Sequence, residues 1–349
     1  RCIGCNSTSD RRPGMAGASY RWIERVWYDG ALSGLWLVPC GWLFGALTAL
    51  RRALYRSGML PSYAVRVPVI VVGNITVGGT GKTPLVVWLV EELARHGLRP
   101  GVVTRGYHGS ITAPTIVTPA MSAAEVGDEA ALIAARTHRT VVVARDRVAG
   151  ARLVADCGAD VVIADDGLQH YRLRRNCEIV VLDGERRIGN GRLLPAGPLR
   201  ESGARLATVD VIAANGGTAR PGELRMRLTE GRARSLTSAA ERALESFAGE
   251  AVHAIAGIGH PRRFFGLLRQ RGLTVLEHPF ADHHPFRVAD LDFGDARPVL
   301  MTEKDAVKCR AFARDGWWAV PVSASFDAAA GEALMRVVLA RIRAPLAGD

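Results

Sequence analysis

Short apolar runs alternate with amphipathic stretches through the middle of the chain. Runs at 67–72, 100–104, 140–144, 161–164, 178–182 and 208–213 have strand length and almost no internal polar position. Between them, residues 83–96, 127–137 and 147–157 carry apolar positions at helical spacing. Strands that are apolar throughout, rather than at every second residue, are buried on both faces. Their alternation with helices therefore predicts an α/β fold: a mostly parallel sheet with helices on both sides. The rhythm breaks over the polar residues 216–250, within which 223–228 has an extended pattern. A smaller α/β unit is expected after it, with strands at 252–256, 274–276 and 299–302 and helices at 261–271 and 328–343. The predicted organisation is a core domain over 61–215 and a smaller C-terminal domain with its linker over 216–349.

Residues 31–50 are an uncharged, predominantly apolar stretch long enough to cross a hydrocarbon core as a helix. Trp22, Trp27, Trp36 and Trp42 lie in or beside it, and Arg51, Arg52 and Arg56 follow. Tryptophan at a lipid–water boundary and arginine beside anionic headgroups fit membrane contact, so 15–60 is expected to be a membrane-associated helical segment. A signal peptide and a buried core helix are the rivals. Pro39 and the glycines weaken a straight span, leaving a helix lying in one leaflet as the other membrane arrangement. Residues 1–14 are polar and patternless, and Met15 is a better start than Arg1, so they are set aside as a leader.

With 349 residues and 48% hydrophobic content, the chain can bury a large core. A formal net charge of +11 favours anionic partners such as a phosphorylated substrate or an anionic membrane. No dense Lys/Arg tract marks a nucleic-acid arm, and nucleic acid is not an expected partner. The six cysteines are scattered, which argues against a disulfide framework, and Cys2 and Cys5 have no second pair to complete a zinc site.

The chemistry begins at 73–83, GNITVGGTGKT, between a predicted strand and a predicted helix. That context makes it a phosphate-binding loop. Gly78, Gly79, Thr80 and Gly81 would offer backbone N–H groups to phosphate oxygens. Lys82 would reach the β- and γ-phosphates of ATP, and the Thr83 hydroxyl would ligate Mg²⁺. The first glycine of the usual pattern is replaced by Thr76. A membrane-associated ATPase switch with no small-molecule acceptor would use the same loop. The version with a lysine before GGxGK is disfavoured by Val77, and no guanine-reading NKxD motif is present.

Two acidic pairs follow. Asp165 and Asp166 end the apolar run at 161–164, where carboxylates beside a phosphate loop can hold Mg²⁺. Gln169 and His170 come close behind and are candidates for the same crevice. Asp128 and Glu129 open a helix, where acids also stabilise the first turn by themselves; pattern alone favours that simpler role.

The phosphate loop, Asp128-Glu129 and the DDGLQH stretch at 165–170, in this order behind an apolar N-terminal helix, resemble the tetraacyldisaccharide 4'-kinases of lipid A biosynthesis. TRGY at 104–107, LPAGPLRE at 194–201, GIGHP at 257–261, FADH at 280–283 and TEKDAVK at 302–308 agree with the resemblance. It implies transfer of the ATP γ-phosphate to the 4'-hydroxyl of an acylated glucosamine disaccharide 1-phosphate. It further implies a two-domain kinase at the cytoplasmic face of the inner membrane of a Gram-negative bacterium, with Asp128 as general base and His283 paired to it. The chain is expected to work as a monomer. Tyr107, Glu129, Arg147, Gln169, His170, Arg200 and Glu201 are candidate substrate or phosphate contacts, each with a surface or core role as its alternative.

Overall fold

The computed structural model describes residues 15–344; the stretch at 1–14, with Cys2 and Cys5, lies outside them. The first sheet takes β1 (Val69–Gly73), β2 (Pro100–Thr104), β3 (Thr115–Ile116), β4 (Val141–Val143), β5 (Val161–Asp165), β6 (Cys177–Asp183), β7 (Val211–Asn215) and β8 (Leu224–Glu230). A second sheet takes β9 (Ala233–Ser235), β10 (Glu241–Arg242), β11 (Ala251–Ala256), β12 (Thr274–Pro279), β13 (Val299–Thr302) and β14 (Trp317–Val320). The chain then returns to the first sheet with β15 (Val322–Ser325). The helices are α1 (Met15–Tyr28), α2 (Val38–Arg56), α3 (Lys82–Arg95), α4 (Ala123–Val126), α5 (Asp128–Thr137), α6 (Arg147–Asp156), α7 (Pro261–Gln270), α8 (Glu303–Cys309) and α9 (Ala328–Arg343).

The nine-stranded sheet runs β15-β8-β7-β6-β1-β5-β2-β4-β3, with antiparallel pairing confined to β15 and β3 at its two edges. Ile70, Val72 and Ile163 face one core, shared with α3, α5 and α9; Val69, Val71 and Val162 face the other, shared with α6. That double burial is why the strands are apolar at every position. The six-stranded sheet runs β10-β9-β14-β13-β11-β12 and has its own cores, one including α7 and the other α8.

The boundary drawn at 215/216 does not coincide with the sheets. Strand β8 is paired parallel to β7, β15 is paired antiparallel to β8, and α9 packs on β1, β6 and β8. The second sheet is thus an insertion in the first, and the last helix covers the first sheet rather than the second. The return was hidden because β15 is a short, half-polar edge strand whose partner lies far back in sequence.

The apolar run at 31–50 forms a 3₁₀ turn at Leu32–Leu37 and then α2. Pro39 falls in the first turn of α2, where its missing N–H costs nothing, so it starts the helix rather than kinking it. Gly41 and Gly45 let the helix sit directly on Leu193 and Ala196. A Cβ on Gly41 would stand 3.1 Å from the Leu193 carbonyl oxygen, and one on Gly45 2.6 Å from Leu193 Cδ1. Leu32, Trp36, Trp42, Leu43, Leu47 and Leu50 are exposed. Only 11% of the apolar stretch is buried, so α2 is not a core helix. The Trp27 indole N–H donates to the Pro195 carbonyl at 3.0 Å.

Candidate active site

The phosphate loop leaves the C-terminal end of β1, where the sheet order places β5 on one side and β6 on the other. Such a switch point opens a crevice beyond the carboxyl ends of the strands. Gly81, at φ 95°, caps α3, and Lys82 and Thr83 are the first residues of that helix. Asn215, at the end of β7, donates from Nδ2 to the Thr80 carbonyl at 3.0 Å. A Cβ on Gly81 would come within 2.7 Å of that same Asn215 nitrogen, so only glycine fits there. Thr76 is explained by its surroundings: it is buried and bridges to Leu199, while Val77 N donates to Pro198 O at 2.9 Å and Arg200 N to Ile75 O at 2.7 Å. The loop entry behaves as a strand edge there, where glycine offers no advantage. The pairing also carries Arg200 into the site.

Asp166 sits at φ 49°, a left-handed conformation uncommon for a non-glycine residue. Its carboxylate meets Lys82 Nζ at 3.3 Å and Arg200 Nη1 at 3.1 Å. Burial works against its ionisation, but the two cations outweigh burial and hold its pKa at about 2. Asp165 is its opposite. It is 1% exposed, and neither carboxylate oxygen has a hydrogen-bond partner. Burial, reinforced by the Glu129 charge, pushes its pKa up to about 7. The Thr80 hydroxyl is likewise buried without a partner. The unpartnered Asp165 carboxylate beside a phosphate loop fits a hard cation that takes few protein oxygens and completes its shell from phosphate and water.

The second acidic pair joins the two lobes. Helix α8 packs against α5 and brings basic residues to Asp128, the first residue of α5. His283 Nδ1 lies 3.1 Å from Asp128 Oδ2, across 155 residues of sequence. Lys308 Nζ lies 3.6 Å from the same oxygen. Burial alone would raise the Asp128 pKa, but the His283 hydrogen bond and the Lys308 and Lys304 charges reverse that and hold it below the ordinary aspartate value. His283 itself adopts φ 60° and stands edge-on to Tyr107, with ring centres 5.2 Å apart.

A cleft of about 1520 Å³ opens between the lobes beside these groups, with Asp165, Asp128 and Lys308 behind its lining. Of the residues singled out in the sequence, Gly78 to Thr83, Tyr107, Glu129, Asp166, Gln169, Arg200, Glu201 and His283 line it. Asp128 sits at its edge behind His283, with 8% of its side chain exposed. Helix α2 contributes Phe44, Thr48 and Arg51 to the cleft wall.

Three candidates are buried or already engaged by protein groups. Arg147 is buried away from the cleft and donates to the Ala144 and Asp165 carbonyls at 2.7 and 3.3 Å, tying the ends of β4 and β5 together. Burial lowers its pKa to about 10. His170 lies outside the cleft lining with Nε2 buried and unpartnered; burial lowers its pKa to about 4 and keeps it neutral. Glu201 reaches the cleft, but its carboxylate is taken by Gln169 Nε2 at 2.8 Å, by the Tyr171 hydroxyl and by Arg205. Glu201→Ala is therefore expected to cost about 1–3 kcal/mol of stability by stranding those donors, measurable by urea unfolding. A substrate ligand would instead raise KM without moving the unfolding midpoint.

Residues without an assigned role in the sequence also line the cleft: Lys304 at the start of α8, and Arg105, Arg225, Arg227, Arg262 and Arg263. The Lys304 and Lys308 pair, one helical turn apart, was the available signal, but nothing local shows which acid faces it.

The chain is similar to known proteins along most of its length. A family model described as tetraacyldisaccharide-1-P 4'-kinase (LpxK) matches residues 33–340. A tetraacyldisaccharide 4'-kinase of Methylobacillus flagellatus is 50% identical over 92% of this chain and 97% of its own length. Another, from Xanthomonas axonopodis pv. citri, is 50% identical over 87% and 92%. The crystal structure of LpxK from Aquifex aeolicus, described as an "apo" form in complex with ATP, matches with a TM-score of 0.75 at 28% identity, covering 88% of this chain and 99% of that one. The chain belongs to the tetraacyldisaccharide 4'-kinase family.

Proposed function

We propose that the chain transfers the γ-phosphate of ATP to the 4'-hydroxyl of tetraacyldisaccharide 1-phosphate in lipid A biosynthesis. The observation that carries the mechanism is the meeting of Asp128 and His283, from separate lobes, over a cleft that also holds an intact phosphate loop.

The loop N–H groups and Lys82 hold the phosphates, and Arg200 and Lys82 orient Asp166 toward them. Thr83 and the acidic pair Asp165-Asp166 would hold Mg²⁺, which neutralises charge on the β- and γ-phosphates when bound. Asp128 accepts the proton of the acceptor hydroxyl through its oxygen edge. That hydroxyl oxygen forms the new bond to phosphorus as the β–γ bridging bond breaks, and the leaving electron pair goes to ADP. A depressed pKa makes Asp128 a weak but fully ionised base. That suffices for a reaction whose barrier is set mainly by positioning and charge neutralisation.

The exposed stripe on α2 supports membrane association. The helix is fastened to the protein by Gly41 and Gly45, and by Arg52, which donates to Thr208 at 3.0 Å. One side therefore stays on protein while Leu43 and Leu47 point away. This suits a helix lying at the surface of the inner membrane on the cytoplasmic side, where ATP is found, better than a free span. Because α2 also walls the cleft, acyl chains can leave the site along it. Leu43→Glu with Leu47→Glu, neither in the cleft lining, is expected to weaken binding to anionic vesicles by at least about tenfold, read by co-sedimentation. Turnover of a short-chain acceptor should be unchanged. Equal sedimentation of both proteins would remove α2 as the contact.

Acceptor dependence tests the reaction class. ADP release in detergent micelles should require tetraacyldisaccharide 1-phosphate and match lipid phosphorylated one for one. ADP release that is equally fast without lipid would favour the ATPase switch.

A further inference from the structure

In the TEKDAVK stretch, Lys304 acts above only through its charge on Asp128, yet its ammonium group also touches His283. Lys304 Nζ lies 3.2 Å from His283 Nε2, on the side of the ring opposite Asp128. Lys304 also meets Asp282 Oδ1 at 3.2 Å and Glu129 Oε1 at 3.8 Å. Resting on the assignment of Asp128 as the base, we infer that Lys304 is a positioning residue that engages the His283 Nε2 lone pair, keeps the Nδ1–H turned to Asp128, and so prevents the ring from acting as the base.

An ammonium group has donors and no acceptor, so Nε2 must offer its lone pair to Lys304. A neutral ring then carries its proton on Nδ1 and donates it to Asp128 Oδ2. The tautomer at one nitrogen follows from the bond made by the other. A doubly protonated ring would set an N–H against the ammonium. A ring acting as base would need the Nε2 lone pair that Lys304 occupies. One Asp128 oxygen is thereby committed to His283 and Lys308, and the other is left for the substrate proton.

The surroundings keep Lys304 charged. Burial works against the charge, but Glu129 and Asp282 outweigh it and raise the Lys304 pKa above the ordinary lysine value. Asp282 Oδ1 is 3.8 Å from His283 Nε2, farther than the ammonium, so it favours Lys304 in place rather than a second proton on the ring. On the remaining side the ring meets Tyr107 and His108, with the His108 ring centre 4.7 Å away. Lys308 is held by Asp305 at 2.8 Å, and Asp305 accepts from the Gly257 N–H at 2.9 Å and from the Thr302 hydroxyl at 2.6 Å. Helix α8 thus presents both lysines from an anchored base.

The test combines two-bond ¹H–¹⁵N spectra of ¹⁵N-histidine-labelled full-length protein with kinetics for wild type, Lys304→Met and Lys304→Arg. His283→Gln assigns the resonances. Wild type at pH 7.5 should show His283 as the Nδ1–H tautomer. In Lys304→Met the ring should lose that preference and show a mixture of tautomers. Its kcat should fall about 10–100-fold with the acid limb of the pH profile displaced, while both KM values stay within about threefold. Lys304→Arg should retain the tautomer and most of the rate. If Lys304→Met does not fold, Lys304→Gln, which removes the charge, gives the same readouts. A His283 tautomer indifferent to Lys304, or a loss confined to KM, overturns the inference. Failure of the base assignment would look different: Asp128→Asn would keep its rate while the His283 tautomer still followed Lys304.

Discussion

Asp128→Asn is expected to slow phosphoryl transfer by roughly 10²–10⁴-fold while leaving ATP affinity within about threefold of wild type. Asparagine keeps the size of the side chain and can still accept from His283 Nδ1, so the lobes should remain docked. What it loses is the anion that takes the proton. Glu129→Gln is the control. Glu129 lines the same wall, but the Asp128 carboxylate alone has a hydrogen bond to His283 and a lysine on the same oxygen. Single-turnover transfer, with ATP affinity measured separately, distinguishes them. A larger loss in Glu129→Gln than in Asp128→Asn would move the base to Glu129.

Asp165→Asn should abolish transfer and yet stabilise the ligand-free protein. With a folded pKa of about 7, against ~4 in an unfolded chain, Asp165 keeps a proton in the native state that the unfolded state gives up. Native protein then binds more protons between those values, so stability falls as pH rises from ~4 to ~7 and stays reduced above that range. Asparagine removes the titration. At pH 8 the variant is expected to be more stable by about 1–3 kcal/mol, a rise of a few degrees in Tm, and the difference should shrink toward pH 5. Adding magnesium and ATP should reverse the order, because wild type alone gains the full binding stabilisation. Scanning calorimetry at the two pH values, with and without ligand, checks every sign. A variant that melts lower than wild type at pH 8 would show that the buried carboxylate has a structural partner.

The contrast between the acidic pairs explains what could be read from the chain and what could not. Strands β1, β2 and β5 announced themselves because burial on both faces demands unbroken apolar runs, and GGTGKT between β1 and α3 is a local signal. Asp165 and Asp166 were legible for the same reason: a strand end carries its acids to a known place in the sheet. That one would be buried and unpartnered and its neighbour ionised at φ 49° was not, because those states depend on Lys82, Arg200 and Glu129. Asp128 has only a helix start as its local context, and its partner comes from the inserted lobe. Residue type misled at Arg147, where a guanidinium suited to phosphate instead satisfies two strand-end carbonyls. The return of β15 and α9 to the first sheet escaped because edge pairing leaves almost no mark on a four-residue, half-polar strand.

The most direct measurement follows the γ-phosphate itself. Wild type and Lys82→Ala would be incubated with γ-labelled ATP, Mg²⁺ and tetraacyldisaccharide 1-phosphate in micelles, and the position of the label on the recovered lipid determined. The assigned reaction puts label on the 4'-oxygen with wild type and almost none with Lys82→Ala. Label at another position, or full transfer by Lys82→Ala, would contradict it.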